Sequence, residues 1–177
     1  GTDAVMLSGE TAVGIDPVNV IDTMVNICIA TDEQLVHLKK LKYAQVKKVF
    51  NVKSTATSFC KAADQIAEEN EANIMLAFTS SGNTALIASK LNPSISIVAP
   101  TDNIKVQRRM TFYRGVTPIL LNVKFKEIDG WTRMINIAVE YSLSNKLIKK
   151  GDLAVVTAGI PIGIPGGTNS IRMITIE

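Results

Sequence analysis

The sequence has few of the features that mark membrane, secreted or nucleic-acid-binding proteins. No apolar run approaches the about 20 residues that a membrane-spanning helix needs. The chain opens on Gly1 without a basic stretch, which predicts a fragment rather than a signal peptide. The net charge of +3 is too small to indicate nucleic-acid binding by itself. We therefore expect a cytoplasmic protein without membrane or nucleic-acid partners.

Cysteine and histidine are also scarce. The only cysteines, Cys28 and Cys60, belong to no CxxC motif or Cys/His cluster, and the single histidine, His37, lies in a polar stretch. We predict two reduced, partly buried thiols, a solvated histidine and no metal site. The sequence leaves a disulfide between the two cysteines open.

The first third of the chain differs from the rest. Residues 1–36 begin with a short apolar run, Ala4–Leu7, which predicts a strand, and Pro17 then opens a helical pattern. Residues 37–53 are rich in lysine and have no apolar period. This stretch is typical of a solvated linker, and the alternative is a basic nucleic-acid-binding patch.

From Ser54 to Glu177 the pattern predicts alternating helices and strands. Ser54 is expected to cap the first helix. Continuous apolar runs such as Ile74–Phe78 suit parallel strands buried on both faces. The last strand, Ser170–Glu177, follows a Gly/Pro-rich loop without a crossover helix, so it is expected to be antiparallel. These features predict an α/β fold, a three-layer α/β/α domain with a mixed five-stranded sheet. The remaining predicted strands are Ile95–Ala99, Val116–Leu121 and Leu153–Thr157, and the predicted helices are Thr84–Leu91, Asn103–Phe112 and Trp131–Leu147.

Several ordered motifs resemble the C-terminal part of the pyruvate kinases, in a bacterial style. Residues 1–12, GTDAVMLSGETA, look like the eighth strand and following turn of that family's catalytic TIM barrel. Tyr113–Pro118, Val155–Gly159 and Gly167–Asn169 resemble the C-terminal domain. Asp16 departs from the family, which usually has an aromatic residue before the proline. The resemblance implies a barrel remnant (strand and helix) in residues 1–36, a linker in 37–53 and the regulatory domain in 54–177.

The resemblance also implies the function of a parent enzyme. That family transfers a phosphoryl group from phosphoenolpyruvate to ADP, giving pyruvate and ATP in glycolysis, and uses Mg²⁺ and usually K⁺. The catalytic lysine and the metal carboxylates of the family have no counterpart in this chain, so we expect the fragment to be inactive and to hold neither ion. An allosteric tetramer is implied for the parent.

Ser8 follows the predicted barrel strand, and barrel active sites lie at the C-terminal ends of strands. The resemblance implies a place at the rim of the active site. From the residues alone, an alternative is that Ser8 caps a short helix with Glu10 in its first turn.

The loop of Thr79, Ser80, Ser81, Gly82, Asn83 and Thr84 is the second candidate site. It joins a predicted parallel strand to a helix start, where unpaired N–H groups and the helix dipole favour an anion. The alternative is an ordinary capped turn. The resemblance implies a site for the phosphate of an allosteric effector.

The loop Gly159–Asn169 lacks the Trp-Arg pair of many family members that bind fructose bisphosphate. Because no cation is available there for a second phosphate, a monophosphate such as ribose 5-phosphate, glucose 6-phosphate or AMP is favoured as the effector. The absence of any effector also stays open. A different class of function is a free-standing module that binds phosphate ligands. The partial barrel motif in residues 1–36 favours the enzyme fragment over that module.

Overall fold

The computed structural model describes residues 2–37, 54–161 and 167–177. Two helices lie before the gap, α1 (Gly9–Ala12) and α2 (Pro17–His37). After it come α3 (Thr55–Glu69), β1 (Ile74–Ala77), α4 (Asn83–Lys90), β2 (Ser96–Thr101), α5 (Ile104–Met110), β3 (Val116–Leu120), a 3₁₀ turn (Phe125–Glu127), α6 (Trp131–Ser144), β4 (Leu153–Gly159) and β5 (Thr168–Thr175). Residues 38–53 of the predicted linker 37–53 and residues 162–166 of the loop Gly159–Asn169 lie outside the described parts.

The five strands form one mixed sheet in the order β3-β2-β1-β4-β5. Strands β1 to β4 are parallel, and β5 pairs antiparallel with β4, from Leu153 opposite Thr175 to Gly159 opposite Thr168. The predicted mixed five-stranded sheet with an antiparallel last strand is therefore confirmed. The order reverses between β1 and β4, because the chain leaves β1 toward β2 and later returns past it to form β4.

Both faces of the sheet are covered by helices. Along β1, Ile74 and Leu76 face the cluster under α6, while Met75 and Ala77 face the cluster under α3 and α4. This alternation follows from the two-residue period of a strand. All four residues of β1 are buried, as the apolar run predicts for a central parallel strand.

Residues 2–34 are mostly exposed. Residues 4–7 form neither strand nor helix, so the predicted strand Ala4–Leu7 is wrong. A strand needs a partner for its backbone groups, and no described strand lies beside these residues. Helix α2 begins at Pro17 as predicted, but many apolar residues along it are exposed, Val18, Ile21, Val25 and Ile29 among them, whereas Val20 and Met24 are half-buried. Within the described residues, no helix combines the length and apolarity needed to cross a membrane.

Helix ends also differ in part from expectation. Ser54 directly precedes α3, but its side chain makes no capping hydrogen bond, so the predicted side-chain cap is wrong. In contrast, Asn103 caps α5, because its Oδ1 accepts hydrogen bonds from the N–H groups of Lys105 (2.9 Å) and Val106 (3.4 Å).

The two cysteines occupy different environments, and both thiols are free. Cys60 on α3 is fully buried, and Cys28 on α2 is half-buried. Burial, with a smaller contribution from the negative charge of Asp64, raises the pKa of the Cys60 thiol to about 12. The thiolate is the reactive form, and at pH 8 a thiol with that pKa is ionised in only about one molecule in ten thousand.

We therefore predict that an aromatic disulfide reagent at pH 8 modifies Cys28 rapidly and Cys60 only after denaturation. Counting released thiolate before and after addition of guanidinium chloride measures both. The control is Cys28→Ser, in which no rapid reaction should remain. Rapid modification of that variant in the folded state would contradict the burial of Cys60.

Candidate functional site

The loop Thr79–Thr84 lies at the C-terminal end of β1, beside the point where the strand order reverses. Phe78 and Thr79 extend β1 by one hydrogen bond to each neighbour: Phe78 N–H donates to Thr157 O (2.9 Å) and Thr79 N–H to Pro100 O (3.0 Å). Open α/β sheets bind ligands in the crevice at such a reversal. The topology therefore puts the predicted phosphate loop where this class of fold binds ligands.

Gly82 sets the conformation of the loop. Its φ of +84° lies in the left-handed region that glycine adopts without steric cost. The turn is closed by a hydrogen bond from Gly82 N–H to Thr79 Oγ1 (2.8 Å), and a longer one joins Asn83 N–H to Ser81 Oγ (3.4 Å). Part of the hydrogen-bonding capacity of the predicted loop residues is therefore used within the loop itself.

Helix α4 starts directly after Gly82, whose carbonyl accepts from Leu86 N–H at 3.0 Å. The N–H groups of Thr84 and Ala85 have no acceptor among the described residues. These are the unpaired first-turn donors that make a helix start a binding site for anions. The hydroxyl of Ser80, which is half-buried, likewise makes no hydrogen bond within the described parts of the chain.

Thr84 connects the loop to the last strand of the sheet. Its hydroxyl lies 2.7 Å from that of Thr168, the first residue of β5, and both side chains are buried. Next to Thr168, Asn169 joins the two ends of the second loop, Gly159–Asn169. Ile160 N–H donates to Asn169 Oδ1 (2.8 Å), and Asn169 Nδ2 donates to Ile160 O (2.6 Å). The loops Thr79–Thr84 and Gly159–Asn169 are therefore in contact through the hydroxyls of Thr84 and Thr168.

Arg109 supplies a positive charge beside the loop. It projects from α5, and its Nη2 donates a hydrogen bond to the carbonyl of Ser81. The side chain is exposed, so the guanidinium has donors left for a ligand. Neither Arg109 nor Thr168 is predicted from the sequence to have a role at this site, and Thr168 enters the prediction only within the loop Gly159–Asn169. No local pattern links either residue to residues 79–84, because the contacts span 28 and 84 positions.

Ser8 is not brought to this site. It is exposed and precedes the short helix α1, but its side chain makes no capping hydrogen bond. Its backbone is well bonded: the carbonyl accepts from Thr11 and Ala12, and its N–H donates to Glu10 Oε2 (3.2 Å). The side-chain cap considered for Ser8 is therefore wrong, whereas Glu10 does lie in the first turn of the helix. The Ser8 hydroxyl is left exposed to solvent.

Comparisons with known proteins agree on one family. The family model described as "Pyruvate kinase, alpha/beta domain" matches residues 57–174. The pyruvate kinase of Dictyostelium discoideum is 33% identical over 99% of this chain and 34% of its own length. That of Geobacillus stearothermophilus is 34% identical over 100% of this chain and 29% of its own. The chain thus spans about a third of the curated relatives that it matches.

A solved structure is similar over the same extent. The crystal structure of a pyruvate kinase from Cryptosporidium parvum has a TM-score of 0.77 and 28% identity to this chain. It covers 100% of this chain, which corresponds to 34% of the solved one. The similarity therefore includes residues 2–37 as well as the sheet domain.

The geometry of Gly82 leads to a stability prediction. An alanine Cβ there would lie 3.0 Å from Arg109 Nη2 and 3.3 Å from Val106 Cγ1, and would also strain the left-handed backbone. We expect Gly82→Ala to lower the free energy of unfolding by about 1 to 2 kcal/mol from backbone strain, with a further cost from the contacts. Urea unfolding measures the loss.

The matched control is Gly115→Ala. Gly115 has a similar φ of +70°, but a Cβ there would meet nothing within 4 Å. This variant should show the backbone strain alone. If it loses as much stability as Gly82→Ala, the close packing of α5 against the loop is wrong.

Proposed function

The chain belongs to the pyruvate kinase family, and from that premise we propose that residues 54–177 are a regulatory domain whose loop Thr79–Thr84 binds the phosphate of an effector. The observation that carries the proposal is the set of unpaired N–H groups at Thr84 and Ala85, next to the Arg109 guanidinium. Backbone N–H groups at a helix start together with an arginine are a strong combination for a phosphate.

The hydroxyls divide into supporting and ligand-binding ones. Thr79 Oγ1 holds the turn at Gly82, and Thr84 Oγ1 is engaged with Thr168. Ser80 and Ser81 are then the hydroxyls with capacity to donate to phosphate oxygens. Asn83 contributes the first helical residue, and its N–H lies within the turn.

A monophosphate fits the described charges better than a bisphosphate. Arg109 is a cation at the first loop, and the described residues of the second loop, Gly159–Pro161 and Gly167–Asn169, include no charged side chain. A second phosphate would need its own counter-charge there. Ribose 5-phosphate, glucose 6-phosphate and AMP are therefore the proposed effector class.

For the whole protein we propose the activity of the family: transfer of the phosphoryl group of phosphoenolpyruvate to ADP. Such a reaction needs cations on the moving phosphoryl group and groups that hold donor and acceptor in line. Mg²⁺ and K⁺ are proposed as its ions. The described residues contain no group of three or more acidic, histidine or cysteine side chains that could hold a metal ion, so no metal ligand is assigned here. The exposed hydroxyl of Ser8 is proposed for the rim of the active site.

The exposed apolar residues of the first segment support a larger assembly. Met6 is 84% exposed and Val18 66% exposed, which is costly for side chains that gain free energy by burial. We propose that residues 1–36 complete a catalytic barrel and that the parent is a cytoplasmic tetramer. This apolar surface favours the enzyme over a free-standing phosphate-binding module, which would have no use for it.

The first functional prediction concerns ligand binding. NMR titration of the chain with ribose 5-phosphate, glucose 6-phosphate, AMP and fructose bisphosphate should shift the amides of residues 79–85. A single phosphate recruits few charge-assisted bonds, so dissociation constants between micromolar and millimolar are expected, about 4 to 8 kcal/mol of binding free energy. Arg109→Met should weaken binding by about tenfold or more.

The control for that variant is Arg108→Met. Arg108 precedes Arg109 on α5, is also exposed, and its side chain makes no hydrogen bond among the described residues. The Arg108→Met substitution removes the same charge from a side chain that makes no hydrogen bond to the loop, so ligand binding should change by less than about twofold. If none of the four ligands perturbs residues 79–85 at millimolar concentration, the loop is only a capped turn. If fructose bisphosphate binds best, the monophosphate assignment is wrong.

The second functional prediction is that the 177-residue chain alone has no pyruvate kinase activity. The family resemblance implies a catalytic lysine and metal carboxylates that have no counterpart in this sequence. A coupled assay with phosphoenolpyruvate, ADP, Mg²⁺ and K⁺ tests this. Turnover of about 1 per second or faster would refute it.

A further inference from the structure

An aspartate followed directly by a glycine occurs at one place in the sequence, Asp129-Gly130, and no asparagine is followed by a glycine. The pair lies between the 3₁₀ turn and α6, and both residues are exposed. Before a glycine, the carboxyl group of an aspartate reacts most readily with the main chain, because glycine has no side chain that shields its nitrogen. The pair is therefore a candidate for a reaction within the chain.

Neither packing nor hydrogen bonding restrains the two reacting groups. Among the described residues, the N–H of Gly130 donates no hydrogen bond, and the Asp129 carboxylate accepts none and forms no ion pair. Gly130 has a φ of +83°, and a Cβ built on it would meet nothing within 4 Å. The space around the glycine nitrogen is thus open on the side where other residues carry a side chain.

The other aspartates are restrained. Asp16 is followed by Pro17, whose nitrogen lacks the hydrogen that the reaction releases. Each of the remaining ones lies inside a helix, forms an ion pair or accepts a hydrogen bond from a backbone N–H group. They are Asp3, Asp22, Asp32, Asp64, Asp102 and Asp152. Asp129 has none of these restraints within the described parts of the chain.

We propose that Asp129-Gly130 is a modification site, at which aspartate converts spontaneously to isoaspartate. The Gly130 nitrogen attacks Asp129 Cγ, an N–C bond forms, and the hydroxyl of the carboxyl group leaves with the N–H proton as water. Water then opens the resulting five-membered imide at one of its two carbonyls. Opening at Cγ restores aspartate, and opening at the α-carbonyl gives isoaspartate. The overall change consumes no oxidant, reductant or other reactant.

The product differs from aspartate in its main chain and in its free acid. The main chain of isoaspartate runs through Cβ and Cγ, so it is longer by one methylene, and the α-carboxylate becomes the free group. Ile128 before the pair is buried in the main core cluster, and Trp131 after it packs against the same cluster. The exposed pair must therefore accommodate the extra methylene between two anchored residues.

The exposure of the pair also defines the class of enzyme that acts on the product. The α-carboxylate of an isoaspartate at residue 129 is accessible to a protein methyltransferase that takes a methyl group from a sulfonium donor. Methylation gives an ester, and methanol leaves when the Gly130 nitrogen closes the imide again, which returns part of the chain to aspartate. This inference does not depend on the proposed phosphate site.

The test is to age the full chain at neutral pH and 37 °C in water enriched in heavy oxygen, and then to digest it with trypsin in ordinary water. Cleavage after Lys126 and Arg133 releases residues 127–133 as one peptide. An isoaspartyl form of this peptide, carrying one heavy oxygen atom, should accumulate. Its fraction should exceed that at any other aspartate by about tenfold or more, because the other sites must first open local structure.

The matched variant is Asp129→Glu. It keeps the charge, but its ring would have six members and closes far more slowly, and the fold is retained because the side chain makes no hydrogen bond among the described residues. Methyl transfer from S-adenosylmethionine by an isoaspartyl methyltransferase should fall to background in the aged variant. Asp22, which is also exposed but lies in α2, is the internal control and should stay aspartate.

A synthetic peptide of residues 124–133 gives the reference rate. The folded chain should isomerise within about threefold of the peptide, because no local structure has to open first. If the peptide isomerises and the folded chain does not, the fold protects the pair and the inference is wrong. Equal methyl labelling of the aged Asp129→Glu variant, or isoaspartate mainly at another aspartate, would overturn it as well.

Discussion

The central constraint on this molecule is the burial of β1 on both faces between two parallel neighbours. A strand in that position cannot reach solvent along its length, so its chain emerges only at the ends. The loop Thr79–Thr84 is where it emerges, beside the reversal of strand order. The apolar residues of β1 therefore decide where the candidate site lies, although none of them belongs to it.

The same constraint explains how residues distant in sequence meet. Because β4 lies next to β1 and β5 returns antiparallel beside β4, the start of β5 comes to the end of β1. The buried contact between Thr84 and Thr168 joins the start of α4 to the start of β5.

The sequence was sufficient to predict the mixed sheet and the position of the loop between β1 and α4, because strand burial and helix period are local signals. Ile74–Ala77 and α6 from Trp131 are examples of elements that periodicity predicts. It failed at Ala4–Leu7, whose strand-like pattern has no described partner strand, and at the Ser54 cap, where side-chain geometry decides. Arg109 and Thr168 could not be predicted as neighbours of the candidate loop, because their contacts with it are far along the chain.

The most direct test of the central claim is a crystal structure of the chain grown without sulfate and soaked in ribose 5-phosphate. We predict phosphate density within hydrogen-bond distance of the N–H groups of Thr84 and Ala85, with the Arg109 guanidinium turned toward it. Density for the phosphate at another place in the domain, or an empty loop at saturating ligand, would contradict the account.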